Sequence, residues 1–479
     1  MPNDTLPAHR RQQLAPVFPS VDAIFQAVAH DHTIPGVAYG IVAAGELVHS
    51  GAIGIARVGA TPLALVDTAF RIASMTKSFA ALAIMMLRDA GKLALDDPVA
   101  AYVPELATLV YPTRDSAPIT IRQLLTMAAG WPEDNAWGDR QVGLPDHAFT
   151  ALLRAGVSCS NAPGVAFEYS NFGYMVLGRV IRNVSGVPCL AYITQQILQP
   201  LGMHDSCWQD ADVPPDRLAL GYRWQDDAWL EEPALPSGGD IAAFGGLIST
   251  VRDLARWVAF FLSAWPARDE ADTGIARRSS LREMQQTWRV MPPDGANPAL
   301  RGYGYGLFTL HNGSYPLVTH SGGLPGFGSN MSWAPDYGIA IVALANLTYA
   351  PMRQAATAAM DLLIGQSGIC PPAVEPAAAL ADARADVIQL LAGWDDALAD
   401  RLFAGNFFLD EDRGRWQARL ETLRAHYGNL QADGAFEVEN KLRGAWKMAG
   451  DRGECRVSIS MAPTVPPRVQ EMTIEPVAP

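Results

Sequence analysis

Apolar positions recur at helical spacing across residues 18–30, where Val21, Ile24, Phe25 and Val28 form one stripe. Residues 37–42 are a short apolar run, Ala44-Gly45 mark a turn, and Leu47-Val48 resume the apolar pattern. Together they predict a hairpin beside a helix. The run FAALAIMML, 79–87, is apolar almost all round. It is too long for a typical strand, rich in helix formers and far too short to span a bilayer. A buried helix is expected there, ending near Gly91 with Arg88 and Lys92 close to its C-terminal end. From 86 to about 240 helical signals and long loops dominate, clearest at 123–127 and 172–184. Near 300 the period changes. Tyr303, Tyr305, Leu307 and Leu310, then Leu317-Val318 and the run 339–344, predict strands of one antiparallel sheet, and 352–364 a closing helix.

The stretch QSGICPPAVEPAAAL holds three prolines and little periodicity. It predicts a division into an N-terminal extension (1–17), a main domain (18–365), a linker (366–385) and a small α+β domain (386–479). In the last, 388–403 and 415–427 look helical, and Val457, Ile459 and Met461 and the stretch 469–474 look like strands. The 455–461 strand is expected to pack a core.

Composition is that of a globular protein, 49% hydrophobic and 18% charged, and 479 residues suffice for more than one domain. A formal net charge of -13 and the lack of a basic stripe argue against nucleic acid or an anionic membrane as partner. Five dispersed cysteines without a CxxC, and no apolar segment after Arg10-Arg11, make a cytoplasmic protein the expectation. His30 and His32 flank Asp31; a solvated loop is expected there rather than a metal site.

One pair changes the picture. In FRIASMTKSF, Ser74 and Lys77 stand three residues apart, at the start of the expected buried helix. Leu63, Ala64, Leu65 and Phe70, just before, look like buried chain. A hydroxyl at a helix start faces free N–H groups and the positive end of the dipole. A lysine leading into an apolar run loses solvation, its pKa falls, and a neutral amine accepts protons. Two weaker signals follow. Tyr169-Ser170-Asn171 lies between a Pro/Gly loop and an apolar helix, offering a phenol and an amide that can point the same way. His320-Ser321-Gly322-Gly323 follows the strand-like YPLVT, and its glycines would let a substrate approach an edge backbone.

The order Ser-x-x-Lys, Tyr-x-Asn, then a basic residue with glycine is the layout of serine β-lactamases and penicillin-binding proteins. With IPGVAYGIV, GKLALDDPV, ITIRQLLTMAAG, GGLISTVRDLARW and THSGGLPGFGS, the chain resembles class C β-lactamase-like serine hydrolases over roughly 20–365. That family includes AmpC-type β-lactamases, D-alanyl-D-alanine carboxypeptidases, D-aminopeptidases and family VIII esterases. The resemblance implies an α+β fold of the β-lactamase/transpeptidase type, an antiparallel sheet flanked by helices with a helical subdomain. It implies catalytic roles for Ser74, Lys77, Tyr169 and His320, substrate contacts from Asn171, Ser321 and Gly322, and an oxyanion hole from the N–H groups of Ser74 and Gly323. Neither metal nor organic cofactor is implied.

His320 stands where the family's lactamases and carboxypeptidases usually carry lysine, and argues for a small ester or amide, esterase- or D-aminopeptidase-like, over a β-lactam or D-alanyl-D-alanine substrate. A catalytically silent binding protein of the same fold is the alternative of another class. The partner expected is a small molecule or short peptide. Whether Lys77 or Tyr169 takes the acylation proton stays open at this point, as does the oligomeric state.

Overall fold

A computed structural model describes residues 5–59, 65–272, 274–292, 300–311 and 314–477. The chain divides into two compact units, Met1–Pro371 and Pro372–Pro479.

The first unit is built on an eight-stranded antiparallel sheet. Its order is Glu46–Gly54, Gly36–Ala43, Ile339–Ala345, Phe327–Ala334, Pro316–Leu324, Phe308–His311, Leu300–Tyr303 and Arg289–Val290. The expected hairpin forms, with Ala44 and Gly45 both at positive φ in its turn. The central strands Gly36–Ala43 and Ile339–Ala345 are buried along their whole length and read as nearly unbroken apolar runs because both faces are covered. Val37, Tyr39, Ile41 and Ala43 join one core with helices Phe18–Asp31 and Met352–Gln366; Ala38 and Val42 join the other. That second core also takes in helices Thr76–Asp89, Asn171–Ser185 and Val251–Leu262. The architecture is the α+β, β-lactamase/transpeptidase-like fold. Among the described residues no helix is long and apolar enough to cross a membrane.

The second unit has its own core, around Trp416, Leu420, Trp446, Val457 and Ile459. Its sheet is a meander of Gln431–Asn440, Arg443–Gly450, Gly453–Met461 and Val469–Pro476.

Several elements differ from expectation. Helix Thr5–Leu14 lies where an extension was expected. The helical signal at 388–403 is two helices, Ala378–Ala392 and Asp396–Leu402. The first starts inside the expected linker, because the alanines after Pro376 are strong helix formers. Extended Gly393 ends it, and the Asp395 carboxylate caps the next by accepting the Leu398 N–H at 3.0 Å. Tyr305 and Leu307 are buried, but in the turn between two strands. Leu63 and Ala64 lie outside the described residues. Leu65 is 58% exposed, at a surface turn where its N–H donates to Thr68 Oγ1; of the two described residues of that group, Phe70 alone is buried.

Candidate active site

Ser74 sits in the short 3-10 turn Ala73–Met75, directly before helix Thr76–Asp89. Ala73 there takes φ +50°, a costly conformation for a residue with a Cβ. Neighbouring hydroxyls hold it: Thr76 Oγ1 donates to Ala73 O at 2.7 Å, and Ser329 Oγ to Ile72 O at 2.8 Å. Gly322 presses on the same turn, where a Cβ would fall 2.1 Å from Ile72 O.

Lys77 is fully buried one turn on. Its Nζ lies 2.9 Å from Ser74 Oγ, 2.6 Å from Asn171 Oδ1 and 3.0 Å from Phe244 O. Asn171 is oriented by its other end, since Nδ2 donates to Asn135 Oδ1 at 3.1 Å. The Asp134 carboxylate accepts the Asn171 and Phe172 N–H groups at 2.6 and 2.8 Å, anchoring the start of helix Asn171–Ser185. Phe244 O is delivered by the turn Asp240–Phe244, which approaches that helix closely; a Cβ on Gly178 would meet Asp240 O at 2.0 Å. Burial brings the Lys77 amine down to about 7, with Asp139 and Asp134 pulling the other way.

The geometry has a chemical consequence. Asn171 Oδ1 and Phe244 O can only accept. A neutral amine has two hydrogens and one lone pair. Once deprotonated, Lys77 gives both hydrogens to these acceptors and turns its lone pair to the Ser74 hydroxyl.

Tyr169 is half-buried beside Ser74, with its ring 4.9 Å from Lys77 Nζ. Burial holds its phenol well above the usual value, although a hydrogen bond with Ser74 opposes this. His320 is buried against Tyr303 and Phe308. Its Nδ1 lies 2.6 Å from Ser321 O, which can only accept, so the proton sits there and Nε2 accepts from Tyr303 Oη at 3.2 Å. Burial, then the Lys77 charge, brings His320 down to about 3. It is neutral, with its Nε2 lone pair taken up by the Tyr303 hydroxyl.

A cleft of about 660 Å³ opens beside these groups. Ser74, Tyr169, His320, Ser321, Gly322 and Gly323 all line it. Strand Pro316–Leu324 pairs with Phe308–His311 only as far as Thr319, yet with Phe327–Ala334 through Leu324. Among the described residues, 320–324 therefore keep one edge without a strand partner, where the glycines suggested an approachable backbone. Asn171, expected to meet substrate, is fully buried with both ends of its amide engaged, and is not among the residues that line the cleft.

Sequence reasoning did not find Asp134, Asn135, Asp139, Tyr349, Arg301 or Arg353; the last four line the cleft together with Asn135. The lone available signal was the acidic, polar stretch PEDN after Trp131. His30 and Asp31 are exposed at a helix end, 3.2 Å apart. Among the described residues no group of three or more His, Cys, Asp or Glu is placed to hold a metal.

The β-lactamase family model matches residues 21–365. Protein flp of Staphylococcus aureus (strain COL) is 30% identical over 336 residues, 69% of this chain and 64% of the relative, so the chain spans less than two thirds of that protein's length. The D-alanyl-D-alanine-carboxypeptidase/endopeptidase AmpH of Escherichia coli (strain K12) is 28% identical over 57% of this chain and 69% of its own. Among solved structures, the octameric penicillin-binding protein homologue from Pyrococcus abyssi aligns with TM-score 0.64 at 24% identity, covering 93% of this chain and 91% of that one. A class C β-lactamase from Rhodobacter sphaeroides aligns with TM-score 0.57 at 22% identity, covering 72% and 98%. With the family model spanning most of its first unit, the chain belongs to the β-lactamase family.

Proposed function

We propose that the protein is a serine hydrolase that works through an acyl-enzyme on Ser74, with a small ester or amide as substrate. The carrying observation is Lys77 Nζ at 2.9 Å from Ser74 Oγ, with its other two partners restricted to accepting. Ser74 Oγ attacks the carbonyl carbon as its proton passes to Lys77. The oxyanion is held by the N–H groups of Ser74 and Gly323 at the open strand edge. Collapse expels the alcohol or amine, which takes the proton back by way of Lys77 and the Tyr169 phenol. Water repeats the sequence on the ester. Lys77 is the better base: near neutrality much of its amine is free, whereas the phenolate of Tyr169 is costly.

The substrate preference rests on His320. A neutral ring there offers no fixed cation to a carboxylate, which favours neutral acyl compounds over penicillins. The second reading is a carboxylate-bearing amide or peptide. Arg301 and Arg353 line the cleft and favour it, as does the name of the AmpH relative. Five unpaired thiols favour a reducing compartment.

The test is labelling by a fluorophosphonate followed by peptide mapping. The adduct is expected on Ser74 and lost in Ser74→Ala; a folded protein that takes up none is the silent binding protein. Rates on p-nitrophenyl acetate, a D-alanyl-D-alanine peptide and nitrocefin then rank the substrate classes. Faster turnover of nitrocefin than of the ester would overturn the preference read from His320.

A further inference from the structure

The two walls of the cleft are tied together across its mouth. Tyr349 follows strand Ile339–Ala345 on the sheet side, and Asp139 follows the short helix Asn135–Gly138 on the other. Tyr349 Oη donates to Asp139 Oδ2 at 3.0 Å. Both residues line the cleft beside Ser74. The Tyr349 ring lies against Gly323, where an added Cβ would come within 2.6 Å of Cδ1. Gly323 belongs to the open edge at 320–324, so the ring stands over the backbone along which a bound chain would run. Tyr349 keeps this place at a cost. Its backbone sits at φ +51°, which a residue with a Cβ rarely adopts, held by its N–H on Phe327 O at 3.2 Å. Asp139 is only 3% exposed, so the acceptor is fixed by packing, while Tyr349 is 48% exposed and presents its ring to the cleft.

We propose that Tyr349 and Asp139 form a clasp that limits how far an acyl group can extend along the edge past Gly323, making Tyr349 a determinant of acyl-chain length. The proposal rests on the acyl-enzyme reading above. The phenol fixes the ring through its hydroxyl, and the ring blocks the groove through its bulk. The two contributions are separable. Tyr349→Phe removes the tie and keeps the bulk; Tyr349→Ala removes both.

The experiment compares kcat/KM for p-nitrophenyl acetate, butyrate and octanoate in the wild type and both variants, with fluorophosphonate labelling of Ser74 as the check on an intact site. The octanoate-to-acetate ratio is expected to rise at least about tenfold in Tyr349→Ala, the scale on which a pocket discriminates added methylenes. The rise should be smaller in Tyr349→Phe, and should come mainly from a lower KM for the long ester. An unchanged ratio in both variants, with Ser74 still labelled, overturns the clasp alone. A wild type that takes up no fluorophosphonate overturns the acyl-enzyme reading, and the clasp with it.

Discussion

Helix Asn171–Ser185 serves two buried cations, and treats them differently. Two turns into it, Arg179 is itself one of them, paired through Nε with the buried Asp240 carboxylate and reaching Glu105 at 3.5 Å. At its first residue, Asn171 meets the other, Lys77, with an amide oxygen. Among the described residues no carboxylate forms an ion pair with Lys77; its partners are a hydroxyl, an amide and a backbone carbonyl. A carboxylate fixes a charge in place. Neutral acceptors hold an amine and leave its charge negotiable, so burial lowers its pKa toward neutrality. The first arrangement builds the fold and the second supplies a base.

Removing the titration at Lys77 should give the largest effect. A guanidinium stays protonated, so Lys77→Arg keeps a cation but no base. Acylation, read as the rate of p-nitrophenyl acetate burst or of fluorophosphonate uptake, should fall by about 10²- to 10⁴-fold. A variant within fivefold of wild type would make Lys77 a fixed charge like Arg179, and the contrast would collapse.

Arg179 tests the other side. Arg179→Met should cost stability, because Asp240 loses its main partner inside the core. Breaking such a pair costs about 3–5 kcal/mol, and the low end is expected because Arg182 remains 3.3 Å from Asp240. Urea denaturation of the variant checks it. A loss below about 1 kcal/mol would show that Arg179 contributes no more than a surface pair.

How far this contrast was legible in the sequence depends on range. Ser74 and Lys77 were readable because a spacing of three across a helix start brings both groups together, and the apolar run 79–87 after Lys77 announces its burial. His320 to Gly323 were readable through glycines in a strand context. Phe244 was not, because its contribution is a backbone carbonyl that any residue carries. Asn135, Asp139 and Tyr349 were not, since common residue types gain meaning only when loops some 210 positions apart meet. For Asn171 the residue type is legible, but nothing local says that its amide joins Lys77 to Asn135. In the second unit, Gln431–Asn440 went unseen as a strand because it is a mostly exposed edge with almost no apolar alternation.

The pH profile sharpens the comparison further. With Lys77 near 7, kcat/KM for a non-ionising ester should rise tenfold per unit from acid pH and level off above about 7. The sign follows from which form works: the neutral amine is the base, and it accumulates as pH rises through its pKa. Measured on p-nitrophenyl acetate, a flat profile between pH 5 and 9 would leave no titrating base.

The smallest effect belongs to Asp139, which faces Lys77 as charge without pairing with it. Burial brings the Asp139 carboxyl up to about 6, against the pull of the Lys77 charge. In return the Asp139 charge raises Lys77. Where the Lys77 limb lies, near 7, Asp139 is ionised, so its charge is felt there. Asp139→Asn removes that charge and leaves burial less opposed; the Lys77 pKa falls, and the acid limb of kcat/KM should move to lower pH, by less than about one unit. Asparagine is the right probe because its Oδ1 can still accept from Tyr349, so the tie across the cleft mouth survives and chain-length preference should stay as in the wild type. Below about pH 6 Asp139 is itself protonated in the wild type, and the charge difference between the two proteins vanishes. A limb that stays put or moves to higher pH would show that the Asp139 charge does not raise the Lys77 pKa.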